Sequence, residues 1–450
     1  MKKEIILLLK KIYWKLPINS HIKEKFRSQY ADRKEINEEK TINKLKISGR
    51  ALKDDYIVDV LKIPERKSED YKEYHEYENV SKSKESIYIA YYLTQYHPNK
   101  QNDEWWGKGV TEWTNVSKAV PQFVGHDQPK LPGELGFYDL RIKDNMLRQI
   151  DLAKNYGVDV FCFYYYWFNG DRLLEKPLNM FLEDENMNMP FCICWANENW
   201  TRRFSGTNTG ILMKIDKSTK SCKQFIHDII DMIKDRRYFC INEKPVILIY
   251  RPSLIKNPKL VLEYWRSEAI KSTNKNIYII AVQEKDAETN WIEFGFDAET
   301  EFQPKQLINH SKEITAEVEP IRADFEGNVY DYEDIVENTK YNKVNNMLKK
   351  VYKAVMPAWD NTARRNQRGT IFHKSSPHLY KKWLIDITKK TVLNEHLDAP
   401  LVFINAWNEW GEGAYLEPDR YYGYAYLQAT REAKDSVNIN QSLSRNCKTS

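Results

Sequence analysis

From residue 87 onward the chain alternates between short apolar runs and longer amphipathic stretches. A run of about four to eight apolar or β-branched residues reads as a buried strand, and a longer stretch with apolar positions three and four apart reads as a helix. The runs are Ile87–Leu93, Val158–Tyr165, Pro190–Trp195, Val246–Tyr250, Ile277–Val282, Phe296–Thr300, Ala354–Trp359 and Leu401–Ile404. Helix-like segments fall between and after them, at Lys143–Tyr156, Lys220–Arg237, Pro258–Ser272, His378–Glu395 and Gly423–Ala433. Helices that interleave with strands indicate repeated βα units, and eight such units predict an α/β fold of the (β/α)8 TIM-barrel type. A doubly wound open sheet is the alternative. No Gly-x-Gly-x-x-Gly follows the first run, which disfavours a dinucleotide-binding version of that sheet. Two long insertions are expected, one after the first strand from Thr94 to about Leu140, the other after the sixth from about Gln303 to Lys353. Insertions of this kind build the active-site face of a barrel.

Residues 1–85 break the pattern. Runs such as Glu35-Ile-Asn-Glu-Glu-Lys40 are charged and weakly periodic, so this region reads as a mostly helical, charged extension. The expected organisation is therefore 1–85 extension, 86–436 catalytic barrel and 437–450 polar tail. The apolar stretch Ile5 to Leu9 is too short to span a bilayer or to form a signal-peptide core, and Lys10-Lys11 ends it. A cytoplasmic protein is the expectation. Residues 1–16 read either as a solvated or docked helix, or as a basic amphipathic helix in peripheral contact with the inner face of the cytoplasmic membrane. The net charge of +5 over 450 residues gives no case for nucleic acid. Six cysteines without a Cys-x-x-Cys pair or a neighbouring histidine give no metal site, and Cys162, Cys192 and Cys194 lie in apolar runs as buried thiols.

Composition changes the picture in one respect: 13 Trp and 29 Tyr are many, and they cluster with acids and amides where the runs end. The strands of a barrel deliver their C-terminal ends to one rim. Carboxylates and amides there can hold hydroxyls, while aromatic faces cover the C–H face of a sugar ring. The candidate substrate-binding residues are accordingly Tyr92, Gln95, His97 and Trp113 near the first run, Tyr165 on the second, Trp195, Asn197 and Glu198 at the third and Tyr250 at the fourth. Glu301 follows at the sixth, Trp359 at the seventh, and Trp407, Asn408 and Trp410 after the eighth. Glu409 and Glu412 are the candidate catalytic pair, three residues apart in a turn interrupted by Gly411. Cleavage of a glycosidic bond needs one carboxylic acid to protonate the leaving oxygen and a second carboxylate as base or nucleophile. The expected partner is an oligo- or polysaccharide, lipid-linked in one version, with no metal and no cofactor. A non-catalytic glycan-binding barrel is the competing reading.

Four ordered motifs, Tyr91-Tyr-Leu-Thr-Gln-Tyr-His-Pro98, Trp105-Trp-Gly-Lys-Gly-Val-Thr-Glu-Trp-Thr-Asn115, Trp195-Ala-Asn-Glu-Asn-Trp200 and Trp407-Asn-Glu-Trp-Gly-Glu-Gly-Ala-Tyr-Leu-Glu-Pro418, make the chain resemble the WbsX-type proteins of the glycoside hydrolase family 99-like group. The resemblance spans about Ile87 to Ala433. It implies a metal-free (β/α)8 enzyme of bacterial surface-polysaccharide biosynthesis, such as O-antigen assembly. Family 99 itself comprises retaining endo-α-mannosidases and endo-α-mannanases that work through a 1,2-anhydro sugar. Carried over on the Glu-x-x-Glu spacing, Glu409 would deprotonate the sugar 2-hydroxyl and Glu412 would act as acid and base at the glycosidic oxygen. The WbsX-type group is also labelled glycosyltransferase, so the resemblance implies transfer as an alternative to cleavage.

Overall fold

The apolar runs pair side by side in parallel and close on themselves. In the computed structural model the barrel strands are β1 (Ile87–Tyr92), β2 (Val160–Phe168), β3 (Phe191–Trp195), β4 (Lys244–Ile249), β5 (Tyr278–Gln283), β6 (Ala298–Glu301), β7 (Val351–Val355) and β8 (Leu401–Ile404). Each is hydrogen-bonded to its sequence neighbours, and β1 pairs with both β2 and β8, in register Ile89↔Val160 and Ile87↔Leu401. The expected (β/α)8 barrel is thus a closed ring. The structure describes residue 62 and residues 65–78, 86–201, 210–283, 289–337 and 350–446, with the backbone alone for 438–446.

The helices used below are α1 (Lys100–Trp106), α2 (Glu112–Val116), α3 (Lys143–Asn155), α4 (Lys176–Glu183), α5 (Thr219–Ile229), α6 (Pro258–Thr273), α7 (Tyr332–Glu337), α8 (Thr362–Arg365), α9 (Pro377–Val392) and α10 (Ala425–Asn446). Side chains alternate across a strand, so each barrel strand sends one set inward and the other against the helices. On β1, Tyr88 reaches Thr388 of α9 and Tyr92 reaches Gln149 of α3, while Tyr91 points inward and stacks on Tyr164 of β2.

Three expectations are corrected. The seventh strand ends at Val355; Trp359–Asp360 is a separate short strand, antiparallel to Thr370–His373 in a small sheet outside the barrel. Pro357 interrupts the apolar run and separates the two. Residues 356–376 are consequently a third insertion, carrying α8, that the run pattern hid. Residues 66–78 hold no helix but irregular backbone with a turn at 69–70, and they lie on the barrel. Lys72 pairs with Gly423, Ser68 N donates to Tyr421 O at 2.8 Å, and Tyr77 N donates to Asn155 Oδ1 at 2.9 Å. A Cβ on Gly423 would meet Lys72 O at 2.2 Å, so only glycine permits this approach. Finally, α10 runs through Asn446 and takes up most of the expected 437–450 tail. The segment 1–16 lies outside the described residues, as do Arg202, Arg203, Glu284 and Cys447. The described cysteines are free, and all but Cys240 are buried. Among the described residues no helix is long and apolar enough to cross a membrane.

Candidate active site

The segment after β8 is fixed before it is functional. Asn408 is fully buried and clasps the end of β1: its Oδ1 accepts from Leu93 N at 2.7 Å, and its Nδ2 donates to Leu93 O at 3.1 Å and to Tyr138 OH at 3.1 Å. Tyr96 donates to the Asn408 carbonyl and accepts from Trp410 N at 3.1 Å. Trp410 stacks on Tyr415 with ring centroids 3.7 Å apart, and its Nε1 donates to Glu417 at 2.7 Å. This clasp leaves Glu409, in the short strand Asn408–Glu409, and Glu412, at the end of one 3-10 turn, facing one cavity of about 390 Å³.

Both carboxylates meet at Arg364 of α8. Its Nη2 donates to Glu409, its Nη1 lies 2.8 Å from Glu412 Oε1, and its Nε donates to Glu112 Oε1 of α2 at 2.7 Å. One guanidinium, brought by the insertion after β7, thus carries three carboxylates, one from the insertion after β1 and two from the turn after β8. Charge-assisted contacts of this kind are the strong class of hydrogen bond, and the guanidinium's fixed fork gives them direction. Gly411 makes the approach feasible: a Cβ there would sit 1.7 Å from Glu112 Oε1 and 2.8 Å from Arg364 Nε.

Glu409 is only 4% exposed. Burial pushes its carboxyl up to about 8, against the pull of Arg364 and with added repulsion from Glu412 and Glu112. The physical reason is charge count: three carboxylates on one buried cation cannot all stay ionised cheaply. Glu417, fully buried behind the turn, is likewise pushed up to about 7 by burial, although Trp410, Gln149 and Tyr138 all donate to it.

The structure brings together Gln95, Glu198, Tyr250, Trp359, Glu409 and Glu412 in the cavity wall. Trp359 Nε1 is buried there with no hydrogen-bond partner among the described residues. Glu198 lies 3.3 Å from Arg251 Nη1. The other residues expected to bind substrate do not line this cavity. Tyr92, Tyr165 and Trp195 stand on the outward side of their strands, where Tyr92 donates to Gln149, Tyr165 to Asp228 of α5, and Trp195 stacks on Phe225 of α5. Asn197 is spent on the Arg251 backbone, with Nδ2 to O at 2.8 Å and Oδ1 from N at 2.7 Å. Glu301 is paired with Lys353 at 2.6 Å. Trp113 donates to Tyr138 O at 2.8 Å, Trp407 packs on Phe161, and Asn408 and Trp410 serve the clasp. His97 is buried beside the Pro98 carbonyl, and burial lowers its proton affinity.

Sequence reasoning set Trp106, Tyr164, Tyr166, Trp200 and Asn361 at the strand ends without choosing them as substrate-binding residues, and it missed Arg364 altogether. Tyr164 and Tyr166 follow from the alternation that turns Tyr165 outward. Tyr166 accepts from Gln95 Nε2 at 2.9 Å. A signal for Arg364 did exist, because buried acids need a counter-charge, but nothing in the local pattern pointed to that particular arginine.

Among solved structures, the fold is similar to the GH99 endo-alpha-mannosidase of Bacteroides thetaiotaomicron, with TM-score 0.50 and 15% identity over 79% of this chain and 98% of that one. It is similar also to a glycoside hydrolase-like protein, with TM-score 0.50 and 14% identity over 80% of this chain and 96% of that one. At such identities the likeness concerns the fold. The sequence is 40% identical over 345 residues to the uncharacterized protein WxcX of Xanthomonas campestris pv. campestris, in strain B100 and in strain ATCC 33913 alike, covering 77% of this chain and 49% of WxcX. The chain spans about half the length of these curated relatives. Residues 88–430 match the family described as Glycosyltransferase WbsX, which takes in every element that builds the cavity, and the chain belongs to that family.

Proposed function

We propose that the barrel is a carbohydrate-active enzyme that cleaves or transfers a glycosyl unit of a bacterial surface polysaccharide through Glu409 and Glu412, with the sugar's own 2-hydroxyl as nucleophile. The observation that carries this reading is the convergence of the two carboxylates on Arg364 in an aromatic-walled cavity large enough for sugar rings. Glu409 takes the proton of the 2-hydroxyl, whose oxygen attacks the anomeric carbon. Glu412 gives a proton to the departing glycosidic oxygen. Water or an acceptor hydroxyl then opens the 1,2-anhydro ring, Glu412 takes the incoming proton, and Glu409 returns its proton to the 2-oxygen. A base that titrates near 8 is stronger than an ordinary carboxylate and suits a hydroxyl proton better. Among the described residues no cluster could hold a metal, and the scheme calls for none.

Transfer is the second reading, supported by the family's description as a glycosyltransferase. The two differ in donor and acceptor: hydrolysis passes a glycosyl unit of a glycan to water, whereas transfer passes the glycosyl unit of a nucleotide-sugar to an acceptor hydroxyl, with the nucleoside diphosphate as leaving group. Calorimetry with nucleotide-sugars and mass spectrometry of products separate them: a specific donor isotherm with glycosylated acceptor indicates transfer, and shortened glycan with no donor binding indicates hydrolysis. The polysaccharide, its lipid-linked precursors and a cytoplasmic site at the inner membrane face belong to the same proposal. A protein inert towards both substrate classes would sink it.

A further inference from the structure

The fork of Arg364 is more than a neighbour of the Glu pair. It comes from α8, in an insertion outside the barrel, and it is anchored from the opposite side by Glu112 of α2, itself fully buried. Remove the anchor and one of three contacts goes; remove the fork and the two acids lose their shared partner. Gly411 is a second, independent sign of the same arrangement, since its missing Cβ is the space that Glu112 and Arg364 fill.

We propose that Arg364, anchored by Glu112, is the positioning residue of the carboxylate pair: it sets the orientation of Glu409 and Glu412 from outside the barrel. The inference rests on reading that pair as the reacting groups. The charged and titratable groups facing Glu409 are Arg364 of α8, Glu112 of α2 and Glu412 of its own turn, with the Tyr96, Tyr164 and Tyr166 hydroxyls around them. Those hydroxyls are themselves held above their ordinary range, by burial first and then by the Glu409 charge, so they stay neutral. The single cation opposes two like charges. The two halves of the latch therefore pull the Glu409 proton in opposite directions: the guanidinium releases it and the Glu112 carboxylate retains it.

That opposition supplies a test that needs no substrate. Infrared titration of the purified protein between about pH 4 and pH 10 would follow the carboxylic-acid band that Glu409→Gln removes. Arg364→Met is expected to move that titration up by more than about one pH unit, and Glu112→Gln to move it down. Arg364→Lys keeps the charge and loses the fork, so a smaller upward shift is expected. If circular dichroism shows Arg364→Met unfolded, Arg364→Lys decides. Unmoved titrations, or shifts of the same sign in the arginine and Glu112 variants, would overturn the proposal. With a glycan that the wild type turns over, Arg364→Met should lower kcat about 100-fold while KM stays within about threefold. A loss confined to KM would count against positioning. Absence of glycan turnover in the wild type would refute the functional reading and leave the titration result standing.

Discussion

Gly411 is the smallest residue of the site and the one with the least freedom. Its neighbours leave no room for a methyl group, because the space is held by the Glu112–Arg364 pair. Gly411→Ala should force that pair apart, cost about 1–3 kcal/mol of stability, and lower turnover about 100-fold by misaligning the two carboxylates. A denaturant melt with a parallel rate measurement checks both. The same residue explains what sequence could and could not show. The Glu409-Trp-Gly-Glu412 spacing made the acids legible, because chemistry of this class needs two carboxylates close together. Arg364 and Glu112 were not legible as a pair, because they lie 252 positions apart and meet only in space. Glu409 also carries a pH prediction. As a base it must be ionised, so kcat/KM of the free enzyme should rise with pH towards a limb near the value of about 8 to which burial pushes it. An acid role would give the opposite slope.

At the scale of elements, the alternation of side chains along β2 decides which tyrosines reach the cavity. Tyr164 and Tyr166 face the cavity, and Tyr165 faces α5. Tyr166→Phe should weaken glycan turnover with little change in melting temperature, since it removes the hydroxyl that Gln95 reaches. Tyr165→Phe should do the reverse, lowering stability by about 1–2 kcal/mol through loss of a charge-assisted bond to Asp228. Equal effects of the two would contradict the assigned faces. Run length and position revealed eight strands, but three consecutive tyrosines carry no mark of which one points inward. The seventh strand shows a related limit: its apolar run continues past Pro357 into Trp359, so sequence merged a barrel strand with a separate ribbon and concealed the insertion that bears Arg364. The junction of β8 with β1 rests on Asn408. Asn408→Ala would leave Leu93 N and O unpaired in the core and should cost on the order of 2–4 kcal/mol, read by urea unfolding.

Across the whole molecule, three buried carboxyls that hold protons unusually well face or back the turn after β8. Burial first of all pushes Glu409 up to about 8, Glu417 to about 7 and Asp419 to about 6. In the unfolded chain these groups titrate near pH 4, at about the ordinary carboxylate values. Between about pH 4 and pH 8 these three groups therefore bind more protons in the folded protein than in the unfolded chain, so the slope of stability with pH from them is negative. Their contribution is largest in mild acid and is lost as pH rises through the three folded values. Melting temperature should fall from pH 5 to pH 8, and Glu417→Gln should flatten the part of that fall below about pH 7. Since burial lowers the proton affinity of His97 and His373, which opposes this slope up to about pH 6.5, a melting temperature that rises between pH 7 and pH 8 would contradict the Glu409 assignment. The segment 65–78 contributes at the same scale: a chain beginning at residue 79 should melt below one beginning at residue 65, having lost the contacts to Tyr421, Gly423 and Asn155.

The central claim is that Glu409 and Glu412 act on a glycan in this barrel. Its most direct test is mass spectrometry of a bacterial surface polysaccharide and its lipid-linked intermediates after incubation with the wild-type protein, Glu409→Gln or Glu412→Gln. Shortened or glycosyl-transferred products from the wild type alone, with both variants folded, are the predicted result; products from both variants at the wild-type rate would contradict the account.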